Sequence, residues 1–245
     1  MDNSREGSLS VTGTLATDGV AYIPGKSMSS TLPAGSVERL LAHWEDLGED
    51  SYLPFQATYR KRRYGRLLAR SRADQTYSFE ALPPEEFRQA ADVIPLYRGD
   101  ARRFAPIAVG ILLSEALLAL VRTDLEVIAT TERAVHTFLV GLHMVRIAAP
   151  RGETRPTAPE GRHHDGHRYV AMHLIARLHC LGGESLIYQR GADSPFLRAT
   201  LTATLDTLIV DDRRVEHEVT PIHALGSDGS RDMLLVDLDD FRDQQ

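Results

Sequence analysis

His163 and Asp165 stand two residues apart in the run Glu160-Gly161-Arg162-His163-His164-Asp165-Gly166, and His217 and Arg231 follow in that order. Two imidazoles and one carboxylate on one face of a metal leave three adjacent coordination positions open, the arrangement that suits non-haem Fe(II) oxygen chemistry. The late arginine has a task in such a site. The usual co-substrate, 2-oxoglutarate, ends in a free carboxylate that a planar guanidinium grips with two hydrogen bonds. The third reactant is dioxygen. Two other classes use part of this set. A divalent-metal hydrolase on a cupin-like barrel would place a metal-bound water on the same ligands, but leaves Arg231 without a task. A non-catalytic barrel that binds a small ligand would need no carboxylate ligand.

These residues must be positioned by strands. Side chains at i and i+2 of an extended segment share a face, so His163 and Asp165 are expected at a strand end, where Gly166 lets the chain turn. His217 lies in the strand-like run Arg214–Val219, and Arg231 opens the run that ends at Leu238. Between the ligands, Tyr169 to Leu178 alternates. Val170, Met172, Leu174, Ala176 and Leu178 fall on one face; Tyr169, His173, Arg177 and His179 fall on the other. The second, polar face is expected to look into the pocket; Arg177 there needs an anionic partner, either a substrate carboxylate or an internal Asp or Glu, and His173 and His179 either line the pocket or serve as hydrogen-bonded structural residues. Further strands are predicted over Glu184–Tyr188, Arg198–Leu205 and Thr207–Val210. Short strands at close spacing predict a mainly β fold with flanking helices, a double-stranded β-helix of the jelly-roll or cupin-like kind. Its metal-bearing core spans about 138–240.

The first half reads differently. Residues 1–10 are expected to be disordered, with one domain over 11–245. A strand is predicted within Ser8–Tyr22, and a helix over Ser36–Leu47 with Ser36 as its cap. Pro84 reads as a helix start, and Phe104–Ala129 as a long helix interrupted near Asp124. Phe138–Ala148 is a strand, and Ala149–Ala158 a loop at the pocket mouth. The basic run Arg60–Arg63 reads most simply as solvated surface.

At 245 residues the chain can bury a full core. Its formal net charge of −6 gives no basic excess for a nucleic acid or a membrane surface. One cysteine, Cys180, excludes an internal disulfide framework and fits a reducing cytoplasm. The longest apolar stretch, Pro106–Val121, contains Glu115 and is too short to span a bilayer.

The segments Pro159-Glu160-Gly161-x-His163-x-Asp165-Gly166, Arg177, Gly182-Gly183-Glu184-Ser185, Asp211-Asp212-Arg213-Arg214-Val215-x-His217-x-Val219-Thr220-Pro221-Ile222 and Arg231-Asp232 together resemble the bacterial 2-oxoglutarate/Fe(II) dioxygenases that include L-isoleucine 4-hydroxylase. The likeness covers roughly residues 45–240, including Tyr59-Arg60-Lys61-Arg62-Arg63-Tyr64 and the strand Phe138–Arg146, and it offers the pocket wall as the alternative to solvated surface for Arg60–Arg63. It implies iron on His163, Asp165 and His217, and 2-oxoglutarate on Arg231. Thr220 or Ser185 would add a hydroxyl hydrogen bond to one of these groups. The resemblance also implies a small-molecule substrate, most simply a free aliphatic amino acid that gains a hydroxyl, with desaturation or ring closure as alternative outcomes. His179 stands where that family usually carries Asn, which bears on the substrate and not on the metal.

Overall fold

The computed structural model describes residues 14–74, 76–131 and 137–241. The expectation for residues 1–10, and the first part of the strand expected from Ser8, lie outside these. In chain order the strands are β1 (Val20–Ile23), β2 (Gly48–Glu49), β3 (Arg60–Ser71), β4 (Tyr77–Ala81), β5 (Ala105–Pro106), β6 (Thr137–Ala149), β7 (Thr154–Arg155), β8 (Tyr169–Leu178), β9 (Cys180–Gly182), β10 (Glu184–Gln189), β11 (Leu197–Thr200), β12 (Thr207–Asp211), β13 (Val215–Val219), β14 (Ile222–Ala224) and β15 (Gly229–Asp240). The helices are α1 (Leu15–Asp18), α2 (Gly25–Ser29), α3 (Ser36–Ala42), α4 (Val109–Leu112) and α5 (Glu115–Ala129).

A large sheet runs β1-β12-β8-β15-β6-β3-β2, with β4 and β5 added on β3. Two three-stranded sheets, β11-β10-β13 and β7-β14-β9, complete the jelly roll. The large sheet is apolar on both faces because it is covered on both. On its outer face Leu67, Val140, Leu142, Leu234 and Val236 pack with Leu40, Trp44, Leu117, Leu120 and Leu125 from α3, α5 and the turn between α3 and β2. Ser114 caps α5, its hydroxyl accepting from the Leu117 N–H. On the inner face one apolar cluster joins Val170, Met172 and Met233 to Ile187 and Val215 of the small sheet. Another joins Val145 and Ile147 to Ile222 and Ala224. The site opens between these two plugs.

Several expected elements differ in the structure. No helix starts at Pro84; residues 82–94 are irregular and tied by a single antiparallel bridge between Phe87 and Arg102. Gly35, not Ser36, stands at the cap position of α3, which ends at Ala42. The segment 104–129 breaks at Leu113–Ser114, and α5 runs unbroken through Asp124. Asp124 survives there because it has a partner. Its fully buried carboxyl meets His173 Nε2 at 3.0 Å, while His173 Nδ1 meets Thr207 Oγ1 at 2.8 Å.

That pair overturns the expected orientation of β8. Val170 and Met172 line the cavity, whereas Tyr169, His173 and Ile175 face the helices. The wall that β8 gives the pocket is apolar, so alternation alone does not mark which face is the inner one. The pairing of β8 with β15 also slips by one residue. Leu174 pairs with Met233, but Ala176 pairs with Asp232 and Arg177 with Arg231. This β-bulge exchanges the faces beyond it, so Arg177 sits on the inner side although His173 does not.

His173 is therefore structural. His173→Leu should lower stability by about 1–3 kcal/mol in denaturant unfolding, because it strands the buried Asp124 carboxyl. Affinity for 2-oxoglutarate and for substrate should be retained. A normally stable variant with weakened substrate binding would return His173 to the pocket.

Candidate metal centre and its cavity

Two backbone hydrogen bonds bring the histidines together. The His163 N–H donates to the His217 carbonyl at 3.0 Å, and the His217 N–H donates back to the His163 carbonyl at 2.7 Å. Directly opposed residues of an antiparallel pair put their side chains on one side, and the two ring centroids are 4.6 Å apart. Asp165 closes the group, with Oδ1 3.4 Å from His163 Nε2 and Oδ2 3.3 Å from His217 Nε2. One donor atom from each residue lies within 4.8 Å of the other two. His163 Nδ1 donates to the Gly161 carbonyl at 2.7 Å, which leaves the Nε2 lone pair for a metal. Burial opposes ionisation here, but the Asp165 carboxylate raises His163 to about 9, and the two imidazoles hold Asp165 well below the usual carboxylate range. A divalent ion on these three side chains would take the place of protons on the imidazoles.

Asp165 does not sit on a strand, where the i, i+2 spacing places it. Past the single bridge at His163 the chain is irregular, and another carboxylate shapes it. Asp212, fully buried, accepts from the backbone N–H groups of Asp165 at 2.9 Å, Gly166 at 2.8 Å and His167 at 3.0 Å. Gly166 takes φ of +86°, a conformation side chains resist. Burial, and then the nearby Asp165 charge, push the Asp212 carboxyl upward. Gln89 completes the support, its amide nitrogen donating to Asp165 O at 3.0 Å and to Asp165 Oδ1 at 3.3 Å.

The triad opens on a cavity of about 110 Å³. The large sheet supplies its floor in rows: Arg231, Ile147 and Arg60; then Met233, Val145 and Arg62; then Leu235 and His143. His217 and Val219 face them from β13, and Thr157, Ala158 and Glu160 line the mouth. Arg231 is 4% exposed, and its Nε has no partner among the described residues. Burial, then the Arg177 charge beside it, lowers its pKa to about 10. Gly183, at φ +65°, makes room for it; a Cβ there would meet Arg231 Cδ at 3.0 Å.

The structure brings His163, Asp165, His217 and Arg231 to one cavity, but not the four residues expected on the substrate. Arg177 lies behind Arg231, outside the lining, and donates to the Gly182 carbonyl at 2.6 Å. His179 is exposed, at φ +45° in the turn after β8. Tyr169 and His173 face the helices. The Thr220 hydroxyl accepts from the Glu184 N–H at 2.9 Å and does not line the cavity. Ser185 is buried on β10 opposite Val219, also outside the lining.

The sequence reading missed Arg102, Gln89 and Glu160 as lining residues and preferred surface to pocket wall for Arg60 and Arg62. In β3 the period of two was hidden because Arg60, Lys61, Arg62 and Arg63 are all basic. Arg60 and Arg62 point inward while Lys61 is exposed. Arg102 and Gln89 come from an irregular segment with no periodicity to read. Behind the floor runs a buried polar chain. Arg62 reaches His143 Nδ1, His143 Nε2 meets Asp237 at 2.8 Å, and His167 stands between Asp237 at 3.3 Å and Asp239 at 2.7 Å. Burial, then the Arg62 charge, lowers His143 to about 4, so it is neutral and its Nδ1 accepts.

Asp212→Asn should cut divalent-metal affinity by roughly tenfold or more without touching a ligand, because an amide cannot accept at both oxygens from three N–H groups. Metal titration of the folded variant reads this directly. His167 gives a pH dependence. Burial opposes its charge, but Asp237 and Asp239 raise it from 6.5 to about 10. A folded-state pKa above the unfolded one contributes stability that is complete below about 6.5 and fades as pH rises through about 10. The deficit of His167→Gln in denaturant unfolding should therefore be largest near pH 6 and shrink toward pH 10.

The comparisons with known proteins agree with this architecture. No curated protein sequence matches the chain significantly. A bsmA homologue from Methylobium petroleophilum PM1 has a similar structure, with TM-score 0.81 and 25% identity over 93% of this chain and 90% of that one. IDO from Bacillus thuringiensis superposes with TM-score 0.72 and 21% identity over 93% and 92%. The Fe(II)/α-ketoglutarate-dependent dioxygenase TqaL superposes with TM-score 0.67 and 16% identity over 92% and 84%. Among the described residues, no helix is long and apolar enough to cross a membrane. The profile of the 2OG-Fe dioxygenases matches residues 41–237, and the chain belongs to that family of oxygenases, which use Fe(II), 2-oxoglutarate and dioxygen.

Proposed function

We propose that the chain hydroxylates a free, mainly aliphatic L-amino acid, with Fe(II) on His163, Asp165 and His217 and the far carboxylate of 2-oxoglutarate on Arg231. We read residues 11–245 as one catalytic domain working in a reducing cytoplasm. One observation carries the reading: a two-imidazole, one-carboxylate donor set and a buried guanidinium with an unpartnered Nε open on the same cavity.

Both absent groups suit the residues present. Two imidazole nitrogens and one carboxylate form a neutral-plus-anion set that a divalent ion accepts. Arg231 is a buried cation whose nearest charge is another cation, so it calls for an anion of the cavity's own size. When bound, the iron with 2-oxoglutarate and dioxygen supplies the oxidant for an unactivated C–H bond. The chain's contribution is placement. Gly161 fixes the His163 tautomer, Asp212 and Gln89 fix Asp165, and Gly183 leaves the space that Arg231 occupies. Val145, Met172, Met233 and Leu235 supply an apolar wall for an aliphatic side chain and keep water from it.

Anaerobic reconstitution with Fe(II) and 2-oxoglutarate, followed by an amino-acid panel with mass detection, tests the whole reading. A gain of 16 mass units marks hydroxylation, while a loss of 2 marks desaturation or ring closure. Turnover without dioxygen would establish the hydrolase reading instead. Asp165→Ala should abolish both activity and tight iron binding, and His164→Ala should keep most of the iron affinity. Arg231→Lys keeps the charge but loses the two-pronged grip. It should raise the 2-oxoglutarate requirement by on the order of tenfold or more, with iron affinity nearly unchanged. An unchanged requirement would move the distal carboxylate to another group, Arg177 being the nearest.

A further inference from the structure

Arg62 and Arg102 are buried guanidinium groups that line the same cavity, and neither pairs with a carboxylate among the described residues. Arg60 does, meeting Asp50 at 2.7 Å. Arg62 spends two of its nitrogens on one lone pair, with Nε 3.2 Å and Nη2 2.7 Å from His143 Nδ1. Its other N–H groups remain for the cavity. Arg102 donates from Nη2 to the Gln89 side-chain oxygen, and its Nε has no partner among the described residues.

The two cations are brought together by aromatic rings. The Arg62 guanidinium lies 4.4 Å from the Phe104 ring centroid, and that of Arg102 lies 3.7 Å from Tyr97 and 4.9 Å from Phe87. Ring faces attract a cation but do not neutralise it. Burial and mutual repulsion already lower Arg102 to about 10. Two like charges held out of water beside a metal centre constitute a site for an anion. Glu160 supplies the opposite sign at the mouth, with a buried Oε2 that has no partner among the described residues.

Resting on the amino-acid reading above, we infer that Arg62 and Arg102 together bind the α-carboxylate of the substrate, and that Glu160 accepts its ammonium group. The assignment fixes the orientation. Arg102 is joined through Gln89 to Asp165, so the charged end of the substrate lies against the 82–104 segment. The side chain then extends over the apolar floor. Arg62 and Arg102 are specificity residues in this role, and Arg177, outside the lining, is not.

The test uses the full chain loaded with Ni(II) and 2-oxoglutarate under argon, with binding followed by calorimetry. The twenty common L-amino acids are titrated first. The tightest binder is then compared with its primary amide and with its deamino acid. The clamp predicts that the amide binds on the order of 100-fold more weakly than the acid, since a buried guanidinium loses its counter-charge. Arg62→Met should lose a similar factor for the acid while keeping 2-oxoglutarate affinity, and Glu160→Gln should weaken the amino acid but not the deamino acid. An amide that binds as tightly as the acid overturns the clamp in the unmodified protein, whatever the folding of the variants. Should no amino acid bind while C5–C6 aliphatic carboxylic acids do and their amides do not, the clamp stands and the amino-acid reading falls. If neither amino acids nor carboxylic acids bind, the clamp is overturned.

Discussion

One carboxylate outside the His163–Asp165–His217 group holds this end of the cavity together. Asp212 is withdrawn from water and has three backbone N–H groups directed at it, those of the residues from Asp165 to His167. A buried anion needs such donors, and irregular backbone needs a fixed acceptor. Each requirement meets the other. The loop acquires one shape, Gly166 absorbs the left-handed turn, and the Asp165 side chain reaches the two imidazoles set by the His163–His217 bridge. Gln89 and Arg102 then extend this support to the far wall.

The cavity also explains why the polar chain behind it is so complete. Arg62 would be costly alone in an apolar floor. His143, kept neutral, accepts from it at Nδ1 and donates its one N–H, at Nε2, to Asp237, which His167 in turn compensates. The charge of the floor is thus anchored from behind, and its N–H groups keep their aim into the space above. Arg231 has no such chain, and its nearest charge is Arg177.

The grouping of the proposed metal centre was legible in the sequence because its chemistry demands particular residue types in order. His163, Asp165, His217 and Arg231 could be picked out without knowing what held them. The fold class was legible for a similar reason, since short alternating runs between turns leave few architectures. The substrate wall was not legible. The period-two signal of β3 vanished in a run of four basic residues, and the 82–104 segment has no period at all. In β8 the alternation itself was correct up to Leu174, but it does not say which face is inside. The slip opposite Asp232 and Met233 then reversed it for Arg177, a change that no residue type announces.

The segment from residue 82 to 104 has a double allegiance. It is largely irregular and carries a single β-bridge, Phe87 to Arg102. Yet Gln89 within it steadies Asp165, and Arg102 in turn holds Gln89. Insertions and replacements that would adapt this wall to a differently shaped molecule also disturb the group that orients the Asp165 carboxylate. Diversification of this protein is therefore channelled: the apolar floor on β6, β8 and β15 can change residue by residue, while the loop must change in concert with the turn it supports.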